Sequence, residues 1–137
     1  YGINGNTWSV ITASDRGACG LLLNYSWNNS GTRVTATRCG YGTGYAGFRT
    51  ANNNNGPSTL TYDNATSCGR GVYSTTGSYN TTVTRVNANG SSGIGIWRGV
   101  ISRNVKVNGG TLYNNAGGCW TDSNPAGSGN SVTVSCQ

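Results

Sequence analysis

The stretch Gly93-Ile94-Gly95-Ile96-Trp97, with its continuation Val100-Ile101-Ser102-Arg103-Asn104-Val105-Lys106-Val107-Asn108-Gly109, decides the fold. Ile94 and Ile96 alternate with glycine, Val105 and Val107 flank Lys106, and Ser102-Arg103-Asn104 interrupts the chain between them. Period-two alternation puts successive side chains on opposite faces of a strand. Asparagine and glycine supply the left-handed backbone that a sharp corner needs. The stretch reads as short strands joined by corners, with no 3,4-spacing that would make a helix.

The same pattern recurs outward from it. Arg33-Val34-Thr35-Ala36-Thr37, Thr59-Leu60-Thr61-Tyr62, Thr82-Val83-Thr84-Arg85-Val86 and Ser131-Val132-Thr133-Val134 are further alternating runs bounded by Gly and Asn. With Ile11, Val34, Leu60, Val83, Val107 and Val132 as markers, the steps are 23, 26, 23, 24 and 25 residues. An aromatic column, Phe48, Tyr73, Trp97 and Trp120, keeps similar steps, and a glycine column, Gly47, Gly71, Gly95 and Gly118, runs beside it. An asparagine column follows Asn29, Asn54, Asn80, Asn104 and Asn130.

A period near 24 residues is too long for one strand and suits a coil of three short strands. The expected fold is therefore all-β: a single domain over residues 1–137, built as a parallel β-solenoid (β-helix) of about five 24-residue coils. At about 4.8 Å per coil such a prism stands roughly 24 Å tall. Branched residues would stack inside, and asparagines at the corners would form hydrogen-bonded ladders. Over roughly residues 8–134 this pattern of turns and stacked β-branched residues resembles right-handed parallel β-helix proteins in general. The alternative is an antiparallel β-sandwich or jelly roll, which short strands separated by turns also fit.

The column of Phe48, Tyr73, Trp97 and Trp120 reads first as an internal core stack. Five cysteines, Cys19, Cys39, Cys68, Cys119 and Cys136, form no CxxC pair, and the chain has no histidine to complete a zinc site. They are expected to make two disulfides in an oxidising compartment, with one thiol left over that is either buried or bonded to another chain. No apolar run approaches the roughly 18 residues of a membrane span. No basic-then-apolar leader opens the chain at Tyr1, so a processed, secreted protein is expected. The sequons at Asn24, Asn28, Asn64, Asn80 and Asn89 are glycosylation candidates, although a chain this rich in Asn, Ser and Thr would contain about 4.6 by chance.

What the chain lacks limits its chemistry. It has no His, no Glu and only Asp15, Asp63 and Asp122 as acids. A Ser–His–Asp or Cys–His nucleophile in its usual form cannot be assembled. A carboxylate pair for glycoside hydrolysis would have to come from three aspartates scattered over different coils. No catalytic residue, cofactor or metal site is expected. The net charge of +6 favours an anionic partner such as an acidic polysaccharide. The scattered arginines, without a dense cluster, argue against nucleic acid.

Three functions remain. The first is a self-assembling subunit of an extracellular fibre, coat or matrix, joined to copies of itself head to tail or through the odd cysteine, because a solenoid without caps leaves strand edges open. The second is a lectin-like or adhesin-like module in which Trp27, Tyr41, Tyr45, Trp97 and Trp120 stack on sugars while nearby Asn and Arg bond hydroxyls. A third, ice binding, would use Thr35/Thr37, Thr59/Thr61, Thr82/Thr84 and Thr133 as a flat threonine face.

Overall fold

The computed structural model describes residues 4–52, 57–61, 63–75 and 77–137. They form a parallel β-solenoid of about five turns, with no helix among them. Every strand pairing is parallel, which excludes the antiparallel sandwich. Asn54 lies outside the described residues, as do Tyr62 and the first three positions.

Each coil contributes to three faces. The first runs through Thr7–Trp8, Ser30–Thr32, Ser58–Thr61 and the opening halves of Thr81–Asn89, Lys106–Tyr113 and Ser131–Cys136. The second holds Ile11–Ser14, Val34–Thr37, Asn64–Thr66 and the closing halves of the same three long strands. The third is a separate sheet of Leu21–Asn24, Phe48–Ala51, Val72–Ser74, Ile96–Arg98 and Trp120–Asp122.

Registration corrects the columns expected from spacing. Leu60 pairs with Gly31, 29 residues earlier, and not with Val34, which pairs with Ile11. The marker series therefore crosses from the second face to the first. Phe48 is in register with Val72, Ile96 and Trp120, pointing inward, whereas Tyr73 and Trp97 are one residue further along and point outward. A slip of one residue reverses the face of a strand side chain. The aromatic series is thus two half-columns on opposite sides of one sheet, and the expected core stack is not formed.

Glycine and alanine set how closely the walls approach. Gly20, Gly47 and Gly71 precede the inward column of the third face, opposite Ala36, Ala65 and Ala88 of the second. A Cβ on Gly47 would lie 2.7 Å from the Ala65 Cβ, and one on Gly71 would lie 2.4 Å from the Ala88 Cβ. In the next coils the glycine column ends at Cys119 and the alanine column at Cys136, and these two are joined as a disulfide. At the other end the Trp8 indole fills the space left by Gly31, where a Cβ would meet its Nε1 at 2.4 Å.

Single residues in the left-handed region make the corners. Asp15, Arg38, Ser67, Gly90 and Asn114, with φ between 51° and 62°, stack into one corner column below the second face. Arg33 and Arg85, with φ near 57°, occupy the bend between the first and second faces. Within the expected asparagine column one ladder forms, Asn104 donating to Asn80 Oδ1 at 3.1 Å, and a second forms outside it, Asn87 donating to Asn64 Oδ1 at 3.1 Å. Asn29 and Asn130 sit one residue further along the coil than Asn80 and Asn104, and the Asn130 side chain accepts from the Val105 amide.

Candidate functional site

The outward side of the third face carries Leu22, Arg49, Tyr73, Trp97 and Thr121, one per coil in strict register. Tyr73 and Trp97 stack with ring centroids 5.0 Å apart and planes 18° from parallel. The Arg49 guanidinium lies 5.0 Å from the Tyr73 centroid. Arg70, at the corner before this face, lays its guanidinium over both rings, 4.6 Å from Tyr73 and 4.2 Å from Trp97. Each such contact contributes about 0.5–2 kcal/mol, depending on how far water is excluded. The Trp97 indole N–H donates to Ser123 Oγ at 3.1 Å and fixes the ring.

A loop borders this face. Residues 40–45 lengthen the second coil and fold down the prism axis, where the Gly42 amide donates to Ser92 Oγ at 2.7 Å. Arg70 donates to the Gly44 carbonyl, tying the loop to the aromatic stack. Gly69 is required beneath the loop, since a Cβ there would meet the Gly40 carbonyl oxygen at 2.3 Å and that of Tyr45 at 2.4 Å. Tyr41 and Tyr45 on this loop stay open, 61% and 42% exposed.

The two guanidiniums stand close enough to oppose each other. Burial lowers the Arg70 pKa from its ordinary value, Arg49 lowers it further, and Tyr73 and Cys19 act the other way. Arg49 Nε is buried without a hydrogen-bond partner. No carboxylate is placed to balance the pair. Asp15 is held by Arg38 at 2.5 and 2.7 Å, and this hydrogen bond lowers its pKa against a small burial effect. Asp122 pairs with the buried Arg98 at 2.9 Å. Asp63 is wholly enclosed in the core, and burial pushes its pKa up to about 7.

Of the aromatic residues expected to bind sugar, Trp97 lies in the stack, and Tyr41 and Tyr45 lie on the loop that Arg70 ties to it through the Gly44 carbonyl. Trp27 lies on the corner after Leu21–Asn24, bridged to Asn4. Trp120 occupies the inward register at the last coil, with the Arg98 guanidinium 5.7 Å from its ring. Neither joins the cluster. Arg49, Arg70 and Tyr73 were not among the expected site residues. A signal existed, because Arg49, Tyr73 and Trp97 are spaced 24 and 24 residues apart.

The cysteines differ from expectation. One disulfide, Cys119–Cys136, is present, and Cys19, Cys39 and Cys68 are free thiols. Cys39 and Cys68 stack in adjacent coils, the Cys39 amide donating to Cys68 Sγ at 3.4 Å. Burial pushes the Cys68 thiol up to about 11, so these two act as small core residues.

Among the sequons, Asn24 is buried; Asn28, Asn64 and Asn80 are exposed and Asn89 is half-buried. The hydroxyl residues divide between two faces. Thr59/Thr61, Thr82/Thr84 and Thr133 share the first face with Thr7, Ser30, Thr32 and Ser131, interrupted at the fifth coil by Lys106 and Asn108, while Thr35/Thr37 lie on the second. No group of three or more metal-ligating side chains occurs among the described residues. Comparison of the chain with protein-family models, with curated proteins and with solved structures finds no match.

Proposed function

We propose that this chain is a secreted, non-enzymatic polysaccharide-binding module that takes its ligand along the outward side of the third face. The observation that carries the reading is the convergence of Arg49, Arg70, Tyr73 and Trp97 on the outward side of one parallel sheet, tied through the Gly44 carbonyl to the loop that carries the exposed Tyr41 and Tyr45. Successive coils repeat at about 4.8 Å, so a linear polymer lying along the axis meets one outward side chain of this face at each step. The ring faces of Tyr73 and Trp97 are largely taken by Arg49, Arg70 and each other. Sugar stacking therefore falls to the open Tyr41 and Tyr45 rings, and hydroxyl recognition to the guanidiniums. The Cys119–Cys136 bond supports an oxidising compartment. The commitment of all three aspartates elsewhere supports binding without catalysis.

Titration of tryptophan fluorescence against a panel of soluble polysaccharides tests the reading. Saturable quenching that Trp97→Phe removes and Tyr45→Ala weakens is the expected result. A panel with no hits, alongside a blank glycan array, overturns it.

Self-assembly is a second reading, favoured by the outermost strands Thr7–Trp8 and Ile11–Ser14, each paired on one side only among the described residues. Sedimentation across a hundredfold concentration range should then show reversible association. A monomer throughout sinks it.

A further inference from the structure

We propose that the ligand of the third face is an anionic polysaccharide whose sugar rings carry an oxyanion, carboxylate or sulfate, and that Arg49 and Arg70 are the pair that receives it. This rests on the polysaccharide reading above and adds the charge of the sugar. Two guanidiniums share the Tyr73 ring, at 5.0 and 4.6 Å, in a chain with only three carboxylates. Each of those carboxylates is accounted for elsewhere: Asp15 on Arg38, Asp122 on Arg98, and Asp63 inside the core.

Like charges brought together without a counter-charge cost free energy. An anion arriving between them removes that cost and gains charge-assisted hydrogen bonds from two forked donors. Arg49 is half-buried and its Nε has no hydrogen-bond partner within the fold, so the protein itself leaves this guanidinium without an acceptor there. Arg70 is already half-committed, donating to the Gly44 carbonyl, so an oxyanion reaching it is also placed against the loop that carries Tyr41 and Tyr45. The aromatic floor holds both arginines in place before the ligand arrives, which reduces the entropy lost on binding. A polyuronate or a sulfated glycan presents one oxyanion per sugar or few sugars along a stiff chain, so that one oxyanion can meet the arginine pair while neighbouring sugars lie along the coils.

Affinity electrophoresis with three pairs of polymers tests this: polygalacturonate against its methyl ester, dextran sulfate against dextran, and duplex DNA as a polyanion without pendant-charged sugars. Wild type should bind polygalacturonate or dextran sulfate about tenfold or more tighter than the neutral partner, a step typical of one charged hydrogen bond. Whichever acid is preferred identifies the oxyanion. Arg49→Gln with Arg70→Gln should abolish the preference, while Arg103→Gln on another part of the coil should leave it unchanged. If Arg49→Gln loses cooperative unfolding, Arg70→Gln alone carries the comparison. Equal binding of charged and neutral polymers, unaffected by the double variant, overturns the anion assignment and leaves the polysaccharide reading standing. DNA binding as tight as either acidic glycan, weakened equally by Arg103→Gln, also overturns it. No binding to any polymer removes both.

Discussion

At the scale of single residues, two positions run against their surroundings. Asp63 occupies a column of the core between Val34 and Val86, where neither carboxyl oxygen has a well-formed hydrogen bond. Burial holds its pKa near 7, and the Val34 amide offsets this only in part. A carboxyl whose folded pKa lies above its unfolded one stabilises the fold fully below the unfolded value and loses that contribution as pH rises through the folded one. Stability should therefore fall from about pH 4 to about pH 7, by up to about 1.4 kcal/mol per pH unit, and level off above. Urea unfolding at pH 4.5, 6 and 8 checks this. Asp63→Asn should flatten the profile, and Asp63→Val should gain most at pH 8. Ile101 is the other position: a β-branched side chain at φ 61°, 56% exposed. That conformation costs roughly 1–2 kcal/mol for a residue with a Cβ. Ile101→Asn, at an exposed corner where asparagine tolerates the same φ, should raise stability by about 1 kcal/mol, read as a higher Tm.

At the scale of elements, the interlock of glycine and alanine walls decides how thin the prism is. Gly47→Ala would drive its Cβ into the Ala65 Cβ at 2.7 Å and crowd the Ala36 Cβ at 3.2 Å. Overpacking of this kind costs about 1–3 kcal/mol. Ala65→Gly should return part of it, so denaturant unfolding of the two single variants and the double variant should show a coupling of the order of 1 kcal/mol. Additive effects would show that the walls relax independently. Gly47, Gly71 and Gly95 of the glycine column were legible from spacing because they lack side chains at a fixed step, whereas Cys119 and not Gly118 continues the column. Its packing partner was not, since alanines at 36, 65 and 88 carry no pattern distinct from ordinary strand alternation. Gly31 hid the first face in the same way, by leaving no apolar marker opposite Leu60. The loop of residues 40–45 and the 29-residue step from Gly31 to Leu60 then let Val34 and Leu60, 26 residues apart and on different faces, pass for one column. Corners were legible where Asn or Gly made them and silent at Arg33, Arg38, Ser67, Arg85 and Ile101, whose side chains do not advertise a positive φ. The site was half-visible for a related reason. Trp97 and Tyr45 draw notice as aromatics, but the link between the Trp97 stack and the 40–45 loop runs through Arg70 to the Gly44 carbonyl, across coils that sequence order keeps apart.

At the scale of the whole molecule, each coil's strands pair only with those of neighbouring coils, the Gly42–Ser92 contact of the 40–45 loop reaching one coil further, so stability is largely a sum of coil-to-coil terms and a change at one end remains near it. The Cys119–Cys136 bond closes a loop of 17 residues across the last coil, in the place where Gly and Ala pack in earlier ones. A loop of that size contributes about 3 kcal/mol by restricting the unfolded chain. The coil it closes has half-buried Val132 and Val134 in place of the fully enclosed Val83 and Val107 higher in the stack. Reduction, or Cys119→Ala with Cys136→Ala, should therefore loosen this coil before the rest. Hydrogen exchange should rise first in Trp120–Asp122 and Ser131–Cys136, while Val72–Ser74 and Ser58–Thr61 keep their protection until global unfolding. The aromatic stack lies three coils or fewer from the disulfide but rests on Phe48–Ala51, Val72–Ser74 and Ile96–Arg98. The Arg49, Arg70 and Tyr73 side of the stack should thus keep its place on reduction, while Trp97, whose indole is held by Ser123 and whose strand pairs with Trp120–Asp122, should loosen with the end. Uniform loss of protection along the chain would show instead that the solenoid unfolds as one unit, and that the staple supports the binding face from a distance.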